Sequence, residues 1–178
     1  MQLADCVVLD SVNDPLALVD LPRPFPEADE VLLEVSVCGV CHTELDEIEG
    51  RTPPPRLPVV PGHEVIGRVV EMGEQCRRFA LGDRVGVGWI HRSSGDEQEN
   101  LSDAFVATGR DVDGGYAEFM TVPEAYACPI PDALTDAQAA PLMCAGSIGH
   151  RALRLAGLVN GQTLGLTGFG GSGHLVLQ

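Results

Sequence analysis

The sequence predicts a mostly β fold with short helices: a partly open β-barrel or curled sheet, followed by a helix, one further strand and a glycine loop that open a second unit. Three observations carry this reading. Residues 30–38 (EVLLEVSVC) alternate apolar and polar side chains over much of their length and are rich in β-branched types, the period-2 pattern of a half-buried strand. Comparable short stretches recur as far as Pro129 between turns rich in glycine, proline and aspartate, which is how barrels and curled sheets are punctuated. From Thr135 the text changes to Ala- and Leu-rich helical spacing, and a glycine-dense loop follows at 168–173. The domain boundary is placed after residue 145, with 146–178 forming the connecting helix and the start of the second unit.

Residues 5–10 and 17–19 are predicted as two short strands around a turn at Asn13-Asp14-Pro15, and 22–29 as a proline-rich surface loop. The strand at 30–38 leads to one helical turn at 42–47. Residues 51–61 hold five prolines and are predicted as a stiff irregular loop. Strands follow at 65–71 and 83–88, with turns at Gly73 and Gly82-Asp83. Residues 91–112 are polar and turn-rich, and strands at 115–122 and 125–129 complete the barrel. A helix is predicted over 135–155, capped by Asp132 or Thr135. Residues 163–167 read as a strand leading into Gly168-Phe169-Gly170-Gly171-Ser172-Gly173, and 174–178 as the first turn of another helix.

The formal net charge is −15, which argues against nucleic acid or an anionic membrane as partner. The chain has no lysine; its 11 formal positive charges are all arginines. This excludes a Schiff base, a Walker-type phosphate lysine and a lysine proton carrier. No apolar run approaches the length that spans a bilayer. The start, MQLADCVVLD, lacks the basic region and apolar core of a signal peptide, so a cytoplasmic protein is expected. There, Cys6, Cys38, Cys41, Cys76, Cys128 and Cys144 read as buried thiols or metal ligands rather than disulfides.

Three segments could supply metal ligands: Cys38-Gly39-Val40-Cys41-His42-Thr43, Gly62-His63-Glu64, and Leu142-Met143-Cys144-Ala145-Gly146. Singly, each is ambiguous, since a CxxC pair is equally a redox dithiol or two buried thiols. Together, two thiolates and one imidazole would satisfy a catalytic zinc, which takes three protein ligands and keeps one open position.

In this order the segments resemble a known family. GHEVIGRVVEMGEQC followed by GDRVGVG resembles the zinc signature of medium-chain alcohol dehydrogenases. CGVCHTEL resembles their first ligand loop, PLMCAGSIGHRAL their third, and GFGGSG their coenzyme loop. The likeness runs through essentially all of the chain. It implies a GroES-like barrel joined to an incomplete Rossmann domain, and hydride transfer between an alcohol or aldehyde and NAD or NADP.

By this resemblance Cys41, His63 and Cys144 hold one catalytic zinc, and Glu64 is a nearby carboxylate that binds the metal transiently. Cys38 is a buried thiol rather than a ligand, and Glu44 orients the ligand histidine. Thr43 bonds the substrate oxygen and starts a proton relay; its hydroxyl is also a candidate helix cap. His42 contacts the coenzyme pyrophosphate, and Gly168, Gly170, Gly171 and Gly173 form the coenzyme loop. Many relatives end the relay at a histidine where this chain has Asp46. An aspartate, with an ordinary pKa of about 3.9, is a poorer proton acceptor at neutral pH, so the relay ends at Asp46 or in water.

Two family features are expected to be missing. A surface lobe that elsewhere holds a structural zinc through four cysteines has Ser94 and Ser102 at its outer positions and is shortened around 95–98, so no structural zinc is expected. His91, the one metal-capable residue left nearby, reads as a surface histidine. The acidic residue that grips the ribose, about 20 residues past the glycine loop, lies beyond the chain. The isolated chain is therefore expected not to turn over or bind coenzyme alone, and to self-associate through 163–178, where Leu164, Leu166, Leu175 and Val176 are apolar. Two alternatives stand beside the enzyme: a non-catalytic zinc-binding remnant or partner-docking module, and a thiol redox protein using Cys38 and Cys41. The latter lacks the usual βαβ setting.

Overall fold

Two irregularities in one central strand curl the main sheet. The computed structural model describes residues 2–178. An antiparallel hairpin comes first, β1 (Leu3–Val8) and β2 (Ala17–Pro22). At its turn Asn13 takes φ 69°, the left-handed conformation that asparagine tolerates better than most residues. Next come β3 (Glu30–Cys38), α1 (His42–Ile48), β4 (Val65–Met72) and β5 (Arg84–Val87). A small pair follows, β6 (Ile90–Arg92) with β7 (Val106–Ala107). Then come β8 (Phe119–Pro123) and β9 (Ala127–Pro129).

The main sheet is antiparallel in the order β8-β3-β4-β5-β9. The β3–β4 register shifts between Leu32 and Leu33 and again between Val35 and Val37. Each shift bends the strand, and the sheet closes into a half-barrel around Val31, Leu33, Val65, Val69, Val85 and Val87. Glu30 to Leu33 are all buried, so the alternation visible in the sequence reaches the surface only further along, at Glu34 and Ser36. The hairpin is stitched to the sheet through residues 116–118: Val7 N–H donates to Tyr116 O at 2.7 Å, Glu118 N–H to Asp5 O at 2.9 Å, and Val35 N–H to Glu118 O at 2.8 Å.

Several expectations need correction. The strand expected over 115–122 starts at Phe119, the preceding residues 116–118 serving instead to bond the hairpin to β3, and Gly115 lies against Val65, where a Cβ would come within 2.2 Å of a methyl carbon. The strand expected over 125–129 begins at Ala127, after a 3-10 turn at Glu124–Tyr126. The turn-rich stretch 91–112 contains two short strands, and His91 is buried. The single helix expected over 135–155 divides into α2 (Asp136–Ala139), a 3-10 turn over Ala140–Met143, and α3 (Ala145–Ala156). Pro141 lacks an N–H and cannot continue an α-helical ladder, and the break leaves Cys144 at the junction. Thr135 rather than Asp132 is the cap: it accepts the Gln138 N–H, and Gln138 reaches back to its backbone.

Residues 163–167 are not a strand. A parallel strand exists only by pairing, and no neighbour pairs with this segment among the described residues. The last helix, α4 (Gly171–Val176), packs on α3 so closely that a Cβ at Gly149 would lie 2.5 Å from Val176. No helix among the described residues is long and apolar enough to cross a membrane.

Candidate metal centre

The site forms where three loops meet at one end of the half-barrel. β3 delivers Cys38 and the chain turns through Gly39 and Val40 to Cys41, the residue that caps α1. Gly39 N–H donates to Glu64 O at 2.8 Å, which ties the first ligand loop to the second. Gly62, at φ 98°, lets the second loop turn against Tyr116 and Cys38, where a Cβ would lie 2.6 Å from the tyrosine ring. The third loop is pressed against the end of β5: a Cβ at Gly88 would sit 2.6 Å from Met143 O.

Cys41, His63 and Cys144 meet there with their candidate ligand atoms within 4.8 Å of one another, the one such group among the described residues. The two sulfurs are 3.9 Å apart. His63 is 1% exposed, and Trp89 meets its ring edge-on with centroids 4.9 Å apart. His63 Nδ1 lies 2.8 Å from Glu44 Oε1, while Glu44 Oε2 accepts the Cys41 N–H at 2.7 Å. One buried carboxylate thus orients the imidazole and fixes the backbone of a cysteine in the group. His63 Nε2 is left buried without a well-aligned hydrogen-bond partner.

A buried polar atom left unpaired needs a reason. Two thiols and a bare imidazole nitrogen, with the other ring nitrogen on a carboxylate, form the donor set that zinc takes in catalytic sites. The residues present fit that ion. Their protonation without a metal follows from crowding. Contact with Cys144, then with His63, draws Cys41 down to about 3, and the same contact pushes Cys144 up. Burial works to lower His63, but its interactions with Cys41 and Glu44 outweigh burial and raise it to about 9.

Residues 27–132, which include Cys41 and His63, match the alcohol dehydrogenase GroES-like domain. The chain belongs to the zinc-dependent medium-chain alcohol dehydrogenase family. It is 45% identical over 175 residues to a probable alcohol dehydrogenase, AdhA, of Mycobacterium tuberculosis, covering 92% of this chain and 51% of that protein. It is 38% identical to an alcohol dehydrogenase of Geobacillus stearothermophilus, covering 96% of this chain and 52% of that one. Among solved structures it is similar to a cinnamyl alcohol dehydrogenase of Sorghum bicolor, with TM-score 0.88, 30% identity, and coverage of 99% and 54%. The CAD of Helicobacter pylori complexed with NADP(H) gives TM-score 0.89, 25% identity, and coverage of 98% and 55%. The chain therefore spans about half the length of the curated relatives it matches.

Around the group of Cys41, His63 and Cys144 the remaining candidates are distributed unevenly. Glu64 is buried; burial first, then the charge on Cys41, raises its pKa. It is roofed by Gly39, where a Cβ would lie 2.2 Å from Glu64 Oε2. Thr43 sits inside the first turn of α1 rather than capping it, and its hydroxyl lies 3.5 Å from Cys41 Sγ, to which it donates when that sulfur is a thiolate. Asp46 Oδ1 accepts from Arg51 Nε at 2.5 Å and lies 3.8 Å from Nε2 of the exposed His42. Cys38 stays outside the group, and burial pushes its thiol up to about 12.

The glycine loop lies on a different footing. Gly168 takes φ 82°, Gly170 has nothing within 4 Å of where a Cβ would be, and a Cβ at Gly173 would meet Gly168 O at 2.9 Å. Gly171 starts α4, and its would-be Cβ lies 3.2 Å from Ala145, the neighbour of Cys144. Ser94 and Ser102 lie in a lobe held by hydrogen bonds: Ser93 Oγ donates to Glu99 O at 2.6 Å, Tyr126 OH to Glu99 Oε2 at 3.1 Å, and Arg151 Nη2 to Glu97 O at 2.9 Å.

Glu47 was not singled out by sequence. It is 1% exposed, its Oε1 has no partner, and burial, then the charge of Glu44, raises it to about 7. The available signal was its spacing: three residues beyond Glu44 on a helix puts both on one face.

Proposed function

We propose that this domain holds one zinc ion through Cys41, His63 and Cys144, with no structural zinc, and serves as the catalytic half of an enzyme that moves hydride between an alcohol or aldehyde and NAD or NADP. The observation that carries the proposal is His63 Nε2, buried without a well-aligned hydrogen-bond partner beside two thiols, with Glu44 behind the other ring nitrogen. Zinc, when bound, supplies Lewis acidity that stabilises negative charge on the alcohol oxygen.

The protein's own residues do the rest. Glu44 holds His63 in the tautomer that offers Nε2 inward. Thr43, beside Cys41, accepts the alcohol proton into the relay. Asp46, paired with Arg51 and His42 on the partly exposed side of α1, stands where that relay reaches water. Glu64, buried under Gly39 and within reach of the charges on Cys41 and His63, is the carboxylate that exchanges with a departing ligand. His42 and the loop of Gly168, Gly170, Gly171 and Gly173 meet the coenzyme, the loop contributing backbone close to Ala145.

Turnover on this reading needs nucleotide-binding residues outside these 178, and the protein works in the cytoplasm. Residues 163–178 self-associate when left uncovered, since Leu164 and Leu166 are each 39% exposed and Leu177 68%. The test is reconstitution. A separately produced nucleotide-binding domain from a relative is added and alcohol oxidation is followed by coenzyme reduction. Activity in the mixture, absent from either part and from a His63→Ala mixture, is expected. Zinc binding with no activity in the mixture would favour the non-catalytic module instead.

A further inference from the structure

Three loops bring the metal group together, but they are not held alike. Glu44 fixes two of its members, accepting the Cys41 N–H at 2.7 Å and lying 2.8 Å from His63 Nδ1. Cys144 has no such support: among the described residues its sulfur has one hydrogen-bond contact, with Cys41 Sγ at 3.9 Å. Its φ of −124° and ψ of −73° belong neither to the 3-10 turn before it nor to α3 after it. Its place has to come from a neighbour.

α3 gives little. Of its 12 residues Gly149 is the one that is buried, and it packs on α4 rather than on the barrel. The residue before Cys144 is placed quite differently. Val85 and Val87 of β5 belong to the half-barrel core, so Gly86 and, just past the strand, Gly88 lie on the opposite face, two residues apart. With no side chain on either, that face is a groove, and Met143 fills it. A Cβ at Gly86 would lie 2.4 Å from Met143 Sδ, and one at Gly88 would lie 2.6 Å from Met143 O.

Side chain and backbone of one residue are thus seated at two points on the same strand. Ile66 and Ile130 flank the side chain, and Cys128 Sγ lies 3.7 Å from the thioether sulfur. Glycine in a strand often marks such a close approach, and an unbranched thioether fills an irregular gap well. Consecutive Cα atoms are about 3.8 Å apart, so a residue anchored twice leaves the next one little freedom.

We propose that Met143 is the positioning residue for the third ligand: seated on Gly86 and Gly88, it holds Cys144 Sγ within reach of Cys41 and His63. This rests on the zinc reading of the site, and adds how the one ligand without a carboxylate behind it is placed.

The test titrates cobalt(II), a coloured stand-in for zinc, into the metal-free chain, reading affinity and the sulfur-to-cobalt absorption band per bound ion. Met143→Ala is expected to weaken binding by about tenfold or more and to lower the band by about half, as one of two thiolates drops away. Met143→Leu, close in volume, should restore both. Met120→Ala makes the same truncation at a buried position of the half-barrel core; it should lower the midpoint of thermal denaturation and leave band and affinity in place. An unchanged band and affinity in Met143→Ala, no recovery in Met143→Leu, or an equal loss in Met120→Ala would overturn the proposal, the last because the loss would follow stability rather than place. Should Met143→Ala not fold, Gly88→Ala is read in its stead, since its methyl pushes on Met143 O. The same loss is expected there, and an unchanged band overturns the proposal. The zinc reading fails separately: an unaltered chain that shows no sulfur band contradicts that reading and takes the proposal with it.

Discussion

The ligand group and the glycine loop are both recognisable as sequence, yet the fold holds them in opposite ways. Cys41 is fixed by Glu44, His63 by Glu44 and Trp89, Glu64 by Gly39, and the third loop by Gly88. The loop at 168–173 has a turn made by Gly168 and touches α3 at Ala145 and Gly149, while Gly170 faces open space and the preceding segment pairs with nothing described. The difference teaches that a cluster of metal-capable side chains can be fixed by the barrel that carries it, whereas a glycine loop is only as specific as the structure around it.

Cys144→Ala should break this comparison most sharply. Removing one of three ligands is expected to take bound zinc from about one per chain to none, as read by elemental analysis, while Gly170→Ala leaves it unchanged. Glu44→Gln should be the next largest. The amide keeps the shape but loses the charge that orients His63, and a fall in zinc affinity of about 10–100-fold is expected in competition with a chelator.

Paired glycine substitutions sharpen the contrast. Gly39→Ala drives a methyl into Glu64, at 2.2 Å from Oε2, and should lower stability by about 1–3 kcal/mol in thermal denaturation. Gly170→Ala meets nothing and should stay within about 0.5 kcal/mol.

Two pH slopes of opposite sign test the buried ionisable groups away from the ligand atoms. Glu47 is raised to about 7, so between 4.5 and 7 the folded chain holds a proton that the unfolded chain does not. Stability from this group falls as pH rises through that window, and Glu47→Gln should gain roughly 1–2 kcal/mol at pH 8 over pH 5 in denaturant titrations of the metal-free protein. His91 is lowered to about 4 from 6.5. Between those values the unfolded ring binds a proton and the folded ring does not, so stability is lost as pH falls. His91→Asn should remove roughly 2–3 kcal/mol of that dependence.

Much of this was legible in the sequence, because periodicity and spacing reflect local physics. The strand at 30–38 was read with its observed limits, since β-branched alternation and flanking turns mark both ends. The three ligand segments were read from residue type and order, and the fold brings together the three residues named. What failed depended on distant contacts. Pro141 divides a helix that composition alone joins, and the segment 163–167 has strand composition without a pairing neighbour. His91 read as a surface residue because nothing local reveals that the hairpin and β8 cover it. Glu47 escaped because an acidic residue on a short helix usually faces water, and its burial comes from loops far along the chain, Arg110 and Asp111 among its charged surroundings.

The central claim is that Cys41, His63 and Cys144 form one self-contained zinc site. X-ray absorption at the zinc edge, with elemental analysis of the same sample, tests it most directly. The expected result is about one zinc per chain, with two sulfurs at about 2.3 Å and a histidine nitrogen at about 2.0–2.1 Å. A second zinc, or a shell without that sulfur pair, would contradict it.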